Sequence, residues 1–363
     1  MRPNRRRSAG LFALTLAIAA MGGYLMWLLH MPLAWLLGAM LATALSAFLR
    51  IPVSLPKHAR PPMTAVIGAM LGTSFSPDIF KHAGSWIVSL VGLVVFIAVT
   101  GGLAFLYFRR VARLDTVTAY FSAMPGGLVE MITLGSEKGG DERMIALIHA
   151  ARIFLVVLTL PFLIETLTGF DVDRTAAMPA DPAIVALDDL LWFVAAVIGG
   201  VILGTILRLP ARFLVGPMVM SAVLHVSGAT DFELPAEALA GAQVVIGATI
   251  GCRFAGASPR IVLQAMGMSA GATCIMLLGT FAFASALTVF GGDRVIAYVL
   301  AYSPGGVAEM SLIALSLNVE VPFVVLHHIV RVLTVVTLAA WLGRSLVERR
   351  PSAMGLCSSS PPE

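Results

Sequence analysis

Residues 119–131 read AYFSAMPGGLVEM, and residues 298–310 read YVLAYSPGGVAEM. Each is an apolar run that would be helical but for the Pro-Gly-Gly at its centre, Pro125-Gly126-Gly127 in one and Pro304-Gly305-Gly306 in the other. Proline withdraws a backbone donor and each glycine loosens the chain, so a helix entering either stretch must stop there. The two stretches lie 179 positions apart, and the same interval relates other motifs. Val66-Ile67-Gly68-Ala69, Gly72 and Phe75 recur as Val245-Ile246-Gly247-Ala248, Gly251 and Phe254. His149 and Arg152 recur as His328 and Arg331. With one residue of slip near position 55, Pro32, Gly38 and Met40 match Pro210, Gly216 and Met218. Separated motifs in one gapless register read as an internal duplication, an architecture shared by many secondary transporters.

Around these motifs the chain is apolar almost throughout. Of its 363 residues 58% are hydrophobic and 12% charged, where a soluble domain carries roughly a quarter charged residues. That is too little charge to cover a globule in water, so the expected class is all-α integral membrane, with the lipid bilayer as its first partner. The net charge of +4 does not point to nucleic acid, because the basic residues sit in short clusters between apolar runs, as orientation signals do. Cys252, Cys274 and Cys357 show no CxxC spacing and offer neither a zinc site nor a disulfide framework.

Twelve apolar segments can be marked, near 10–29, 32–49, 62–76, 83–108, 116–135 and 144–168 in the first half, and 184–207, 211–228, 238–255, 261–290, 294–316 and 321–343 in the second. About 20 helical residues cross a hydrocarbon core of about 30 Å. Arg2, Arg5, Arg6 and Arg7 precede the first segment, which continues to Leu29 past a signal-peptidase-like Ala17-Ile18-Ala19. The run is longer than a signal h-region and is read as a transmembrane helix with a cytoplasmic N-terminus. If all twelve segments crossed, the acidic loop with Asp171, Asp173 and Asp181 would be cytoplasmic and Arg208 with Arg212 external, against the positive-inside rule. If the fifth segment of each half instead enters and returns on one side, the clusters at Arg50, Lys57 and Arg60, at Arg109, Arg110 and Arg113, at Arg208 and Arg212, and at Arg253 and Arg260 all face the cytoplasm. The loop with Asp231 and Glu233 then faces outward, and only Lys81 and Arg294 stray. The expectation is therefore two inverted-topology repeats, 9–170 and 184–345, with about ten transmembrane crossings and two Pro-Gly-Gly-broken re-entrant hairpins. The Ser/Pro-rich stretch 346–363 reads as a disordered cytoplasmic tail, and the location as a bacterial inner membrane.

Broken helices at membrane depth survive only in protein or beside a wet cavity, so paired breaks point to a binding site. Glu130 and Glu309 each follow the last glycine by three residues, in the first turn of a resuming helix, where the dipole favours negative charge. They could cap the helix or carry a proton. His149 and Arg152 share a helix face, as do His328 and Arg331. An unpaired arginine inside an apolar segment is costly, so the economical expectation pairs Glu130 with Arg152 and Glu309 with Arg331. Such pairs could be purely structural, or could form a midplane site for an anionic or proton-coupled solute. The candidate substrate-binding residues are thus Pro125, Gly126, Gly127, Glu130, His149, Arg152, Pro304, Gly305, Gly306, Glu309, His328 and Arg331. A metal-dependent oxygenase would need several converging His, Cys or carboxylate ligands. Of the seven histidines only His149, His327 and His328 lie well inside apolar segments, and the adjacent His327 and His328 point to different faces. No catalytic role, metal or cofactor is expected.

The two Pro-Gly-Gly-x-x-Glu-Met signatures, at 125–131 and 304–310, and the companion His-x-x-Arg pairs resemble the bacterial AbrB-duplication family of membrane proteins over about 10–345. Some members of that family carry the label ammonia monooxygenase and others are described as regulators of gene expression. The name is shared with an unrelated small DNA-binding protein whose fold this chain does not resemble. The favoured reading is a secondary transporter of a small solute. A membrane-embedded regulator, acting directly or through the level of a transported metabolite, is the alternative; an enzyme is a more distant one. Oligomerisation is left open by the sequence. A reporter fused after Arg174 should be periplasmic and one fused after Arg350 cytoplasmic; both on one side would refute the odd number of crossings that inversion requires.

Overall fold

The computed structural model describes residues 5–75, 84, 86–168, 186–232, 236–291 and 294–348. The acidic loop at Asp171–Asp181, Lys81, Glu233 and the tail from 349 onward lie outside the described residues. The described residues form fourteen α-helices. The first seven are α1 Arg5–Leu28, α2 Ala34–Phe48, α3 Arg60–Gly72, α4 Trp86–Arg110, α5 Thr116–Ala123, α6 Leu128–Glu137 and α7 Glu142–Thr168. The second seven are α8 Leu187–Ile206, α9 Arg212–Val226, α10 Ala236–Gly251, α11 Pro259–Gly291, α12 Val295–Tyr302, α13 Val307–Ser316 and α14 Val321–Glu348. Twelve apolar segments become fourteen helices because each Pro-Gly-Gly splits one segment in two, α5 from α6 and α12 from α13. The short helices have equal lengths in both halves, 8 and 10 residues.

Six helices, α1, α4, α7, α8, α11 and α14, contain stretches long and apolar enough to span a membrane. The helices between them are shorter: α2 and α9 have 15 residues, α3 has 13 and α10 has 16. At 1.5 Å per residue, 13 to 16 residues reach about 20–24 Å. The long helices present one face outward and one inward. On α4, Ile87, Val91, Val95 and Leu103 are exposed while Leu93, Phe96, Ile97 and Ala104 are buried. On α8, Leu191, Val194, Ile198 and Ile202 are exposed while Ala196, Gly200 and Gly204 are buried. Apolar patches this extensive are rare on proteins in water but match hydrocarbon.

Helices in lipid gain nothing from leaving water and associate by close packing, which small residues permit. Here glycines do this in a reciprocal pattern. A Cβ on Gly38 of α2 would strike the Gly22 carbonyl of α1, and one on Gly216 of α9 would strike the Gly200 carbonyl of α8. Between the halves, Gly68 and Gly72 of α3 seat the Leu214 and Met218 carbonyls of α9, while Gly247 and Gly251 of α10 seat the Leu36 and Met40 carbonyls of α2. Each half thus lays its second helix on the other half's third. The entrances of α2 and α9 are alike as well: Leu33 and Ala211 both take left-handed backbone, at φ 48°.

Substituting Gly247 by valine should destabilise the protein, because the backbone of Leu36 cannot retreat without moving α2; overpacking of this kind costs about 1–3 kcal/mol. Gly102, on the outer face of α4 with no atom within 4 Å of where a Cβ would stand, serves as the control. Unfolding of purified Gly247→Val and Gly102→Val in detergent should differ by that amount, and equal stability would contradict the close packing of α2 on α10.

Candidate functional site

The site is built around the two breaks. Asp115 caps α5, accepting from the backbone N–H groups of Val117 and Thr118, both at 3.0 Å. The helix stops at Ala123, and α6 starts with Gly127 as its N-cap. In the second half α12 stops at Tyr302 and α13 starts with Gly306 as its N-cap. The outer ends of each short pair come back together. The Asp141 N–H, just past α6, donates to Thr118 Oγ1 near the start of α5 at 2.8 Å. Arg294, just before α12, pairs with Glu320, just past α13, at 3.1 Å.

A helix that stops leaves its last carbonyls without intrahelical partners. The following long helix supplies them. On α7, His149 Nε2 lies 2.9 Å from the Phe121 carbonyl and Arg152 donates to the Met124 carbonyl at 3.2 Å. On α14, His328 Nε2 lies 3.0 Å from the Leu300 carbonyl, and Arg331 donates to the carbonyls of Ser303 and of Gly305, the latter at 2.6 Å. A carbonyl can only accept, so Nε2 carries the proton in both histidines. His327 serves elsewhere: its ring bonds the Ser89 hydroxyl at 2.9 Å, joining α14 to α4.

The expected pairing of Glu130 with Arg152 and Glu309 with Arg331 is therefore corrected. The guanidiniums are aimed at the nearest unsatisfied acceptors, the carbonyls of the broken backbone. The carboxylates fold back over the N-cap glycines, so that a Cβ on Gly127 would collide with Glu130 and one on Gly306 with Glu309. This is where an acidic residue in the first turn of a helix belongs. Glu309 is 1% exposed and its Oε1 pairs with Arg60 Nη2 at 2.9 Å, with Arg253 also near enough to attract it. Glu130 is exposed and makes no ion pair among the described residues.

Both breaks open onto one cavity of about 410 Å³. From the first half it is lined by Gly126, Gly127, Glu130 and Arg152, and from the second by Gly305, Gly306, Glu309 and Arg331. Pro125, His149, Pro304 and His328 are not on the lining; the histidines lie behind it and hold the backbone. Arg60 at the start of α3, Phe213 and Leu214 on α9, and Arg253 in the turn after α10 also line it. Arg60 and Arg253 are site residues that the motifs alone do not point to. At the 179-residue interval their counterparts are the uncharged Leu239 and Ser74, so neither belongs to the recurring motifs. Buried polar atoms remain without hydrogen-bond partners here, namely Nε of Arg152, Arg253 and Arg331, and Oε2 of Glu309. Positive donors in a half-apolar cavity suit an anion. Among the described residues no three His, Cys, Asp or Glu side chains come together as metal ligands would.

Comparison with known proteins gives the family. Residues 35–347 match the model of the AbrB family, described as "Transition state regulatory protein AbrB". The chain is similar to "Uncharacterized protein YhjN" of Bacillus subtilis (strain 168), with 28% identity over 89% of this chain and 90% of the relative. It is also similar to "Putative regulator AbrB" of Escherichia coli (strain K12), with 26% identity over 89% of this chain and 92% of the relative.

Replacing Arg331 by alanine should cost about 3 kcal/mol or more, since it strands two buried carbonyls and each bond from a charged donor is worth about 1.5–3 kcal/mol. Glu130→Gln should change stability by less than about 0.5 kcal/mol and should not rescue Arg152→Ala. Unfolding midpoints of the purified variants test this, and rescue of Arg152→Ala by Glu130→Gln would restore the carboxylate pairing rejected above.

Proposed function

The chain belongs to the AbrB family of membrane proteins, and from that premise we propose that it is a secondary transporter carrying a small anionic solute through the cavity between its two helix breaks. The single observation that carries the reading is that cavity, where both Pro-Gly-Gly motifs, two helix N-termini and four arginines converge. In this reading the chain is two inverted repeats, each of five crossings and one re-entrant hairpin. The reciprocal packing of α2 on α10 and α9 on α3 supports it, as a pseudo-two-fold axis requires such exchange. The closure of each short helix pair, by Asp141 on Thr118 and by Arg294 with Glu320, supports the hairpins. Counting α2, α3, α9 and α10 as crossings requires a bilayer thinned around them or a protein surround, because each is shorter than the core is thick.

Orientation follows from the basic loops, with both termini in the cytoplasm of a bacterial inner membrane. Arg60, Ala211 and Arg253, which line the cavity, are then placed towards its cytoplasmic side in this reading. Alternating access would rock one repeat against the other and close that side. The regulator names borne by the family and by the Escherichia coli relative favour a second reading, a membrane-embedded regulator of gene expression. Both readings hold together if regulation follows from the level of the transported solute.

The test places single cysteines at Val129 and Val332, both on the cavity lining, in a background with Cys252, Cys274 and Cys357 replaced by serine. A small charged thiol reagent added from the cytoplasmic side should label both, and transported solute should slow labelling at both. A correctly inserted protein in which neither position reacts would remove the cavity as an aqueous path.

A further inference from the structure

Resting on the transport reading, we propose that the solute is a small organic dianion. Among the described residues four guanidiniums line the cavity, Arg60, Arg152, Arg253 and Arg331, against two carboxylates, Glu130 and Glu309, so their formal excess is two positive charges. Helix dipoles do not remove it. Each break presents one helix C-terminus and one N-terminus, whose partial charges of about half a unit oppose one another. Glu309 is already committed, bound to Arg60 at 2.9 Å. Arg152 and Arg331, one from each break, line the same cavity. They are 4% and 2% exposed, and each keeps one Nε–H with no partner after serving the break.

Like charges held this way, with donors unspent, need an anion between them. A single monoanion would leave one positive charge uncompensated in a partly desolvated site. The body of the ligand is set by the rest of the wall. Phe213, Leu214 and Val332 give it an apolar side, and about 410 Å³ is several times the size of an inorganic oxyanion. A short carbon chain bearing two carboxylates, or one phosphate ester, satisfies both halves of the lining. Geometry also fits a fork: guanidinium binds carboxylate and phosphate oxygens in pairs, which ammonium groups do not.

The experiment measures binding to the purified full-length protein in nanodiscs by calorimetry. One arm uses unbranched dicarboxylates of three to six carbons with their half-amides and diamides, another uses methyl and ethyl phosphate, and sulfate is included as an inorganic control. The expected result is that at least one dianion arm binds ten-fold or more tighter than its matched monoanion, with the neutral diamide showing no binding. Two variants should move the preference in opposite directions. Arg253→Gln, whose guanidinium holds no break, should bring a diacid and its half-amide within about two-fold of each other. Glu130→Gln, which removes a negative charge from the wall, should widen the gap several-fold. If Arg253→Gln fails to fold, the Glu130→Gln result decides. A half-amide or diamide that binds as tightly as the diacid and protects the Val129 cysteine overturns the dianion while leaving the transport reading in place. Sulfate matching the best organic dianion overturns the organic body. No binding by any member, with unprotected cavity cysteines, overturns both.

Discussion

A backbone that stops being helical inside a bilayer exposes carbonyls that lipid cannot satisfy, and the rest of this structure follows from how those carbonyls are met. Phe121 and Met124 in one half, and Leu300, Ser303 and Gly305 in the other, are bonded by a histidine and an arginine from the next long helix. The acceptor sits 28 residues upstream of its histidine or arginine in four contacts alike, with Arg331 adding a fifth to Gly305 at a separation of 26. This fixes α7 and α14 against the breaks. It also buries two guanidiniums beside the cavity without spending their charge on carboxylates.

Two consequences meet in the cavity. The arginines bonded to neutral carbonyls keep their charge, and Arg60 and Arg253 add to it from the ends of neighbouring elements. The carboxylates, released from pairing with the nearby arginines, stay at their own helix N-termini, one held by Arg60 and the other open. The site is thus asymmetric although the scaffold around it is nearly repeated. The two breaks therefore sit in different electrostatic environments, one carboxylate paired with a guanidinium and the other exposed.

Much of the scaffold was legible in the sequence because it depends on local chemistry. Pro125-Gly126-Gly127 and Pro304-Gly305-Gly306 stop helices wherever they occur, and the long apolar runs match the long helices to within a few residues. The partners of Glu309 were not legible. Arg60 is 249 residues away, and arginines in loops serve orientation and binding alike, so sequence position cannot separate the two uses. The bonds of Arg152 and Arg331 escape the sequence for another reason: backbone acceptors are present at every residue, and only the path of the chain shows which are left unsatisfied. The bonds of His149 and His328 to the Phe121 and Leu300 carbonyls depend on the chain's path in the same way. In the sequence, the glycines are seen only as motifs recurring at a fixed interval; their physical use, seating the carbonyls of α2 and α9 against α10 and α3, is visible only with the helices packed together.

The claim on which the account stands is that solute passes between the two breaks, and solute exchange tests it most directly. Liposomes containing the purified protein and a high internal concentration of unlabelled four-carbon dicarboxylate should take up the labelled compound transiently, with no ion gradient applied, far above protein-free liposomes. In folded Arg253→Gln, counterflow of the dicarboxylate should lose its advantage over counterflow of its half-amide. Uptake no greater than in protein-free liposomes, for dicarboxylates, phosphate esters, monoanions and neutral analogues alike, would contradict the account.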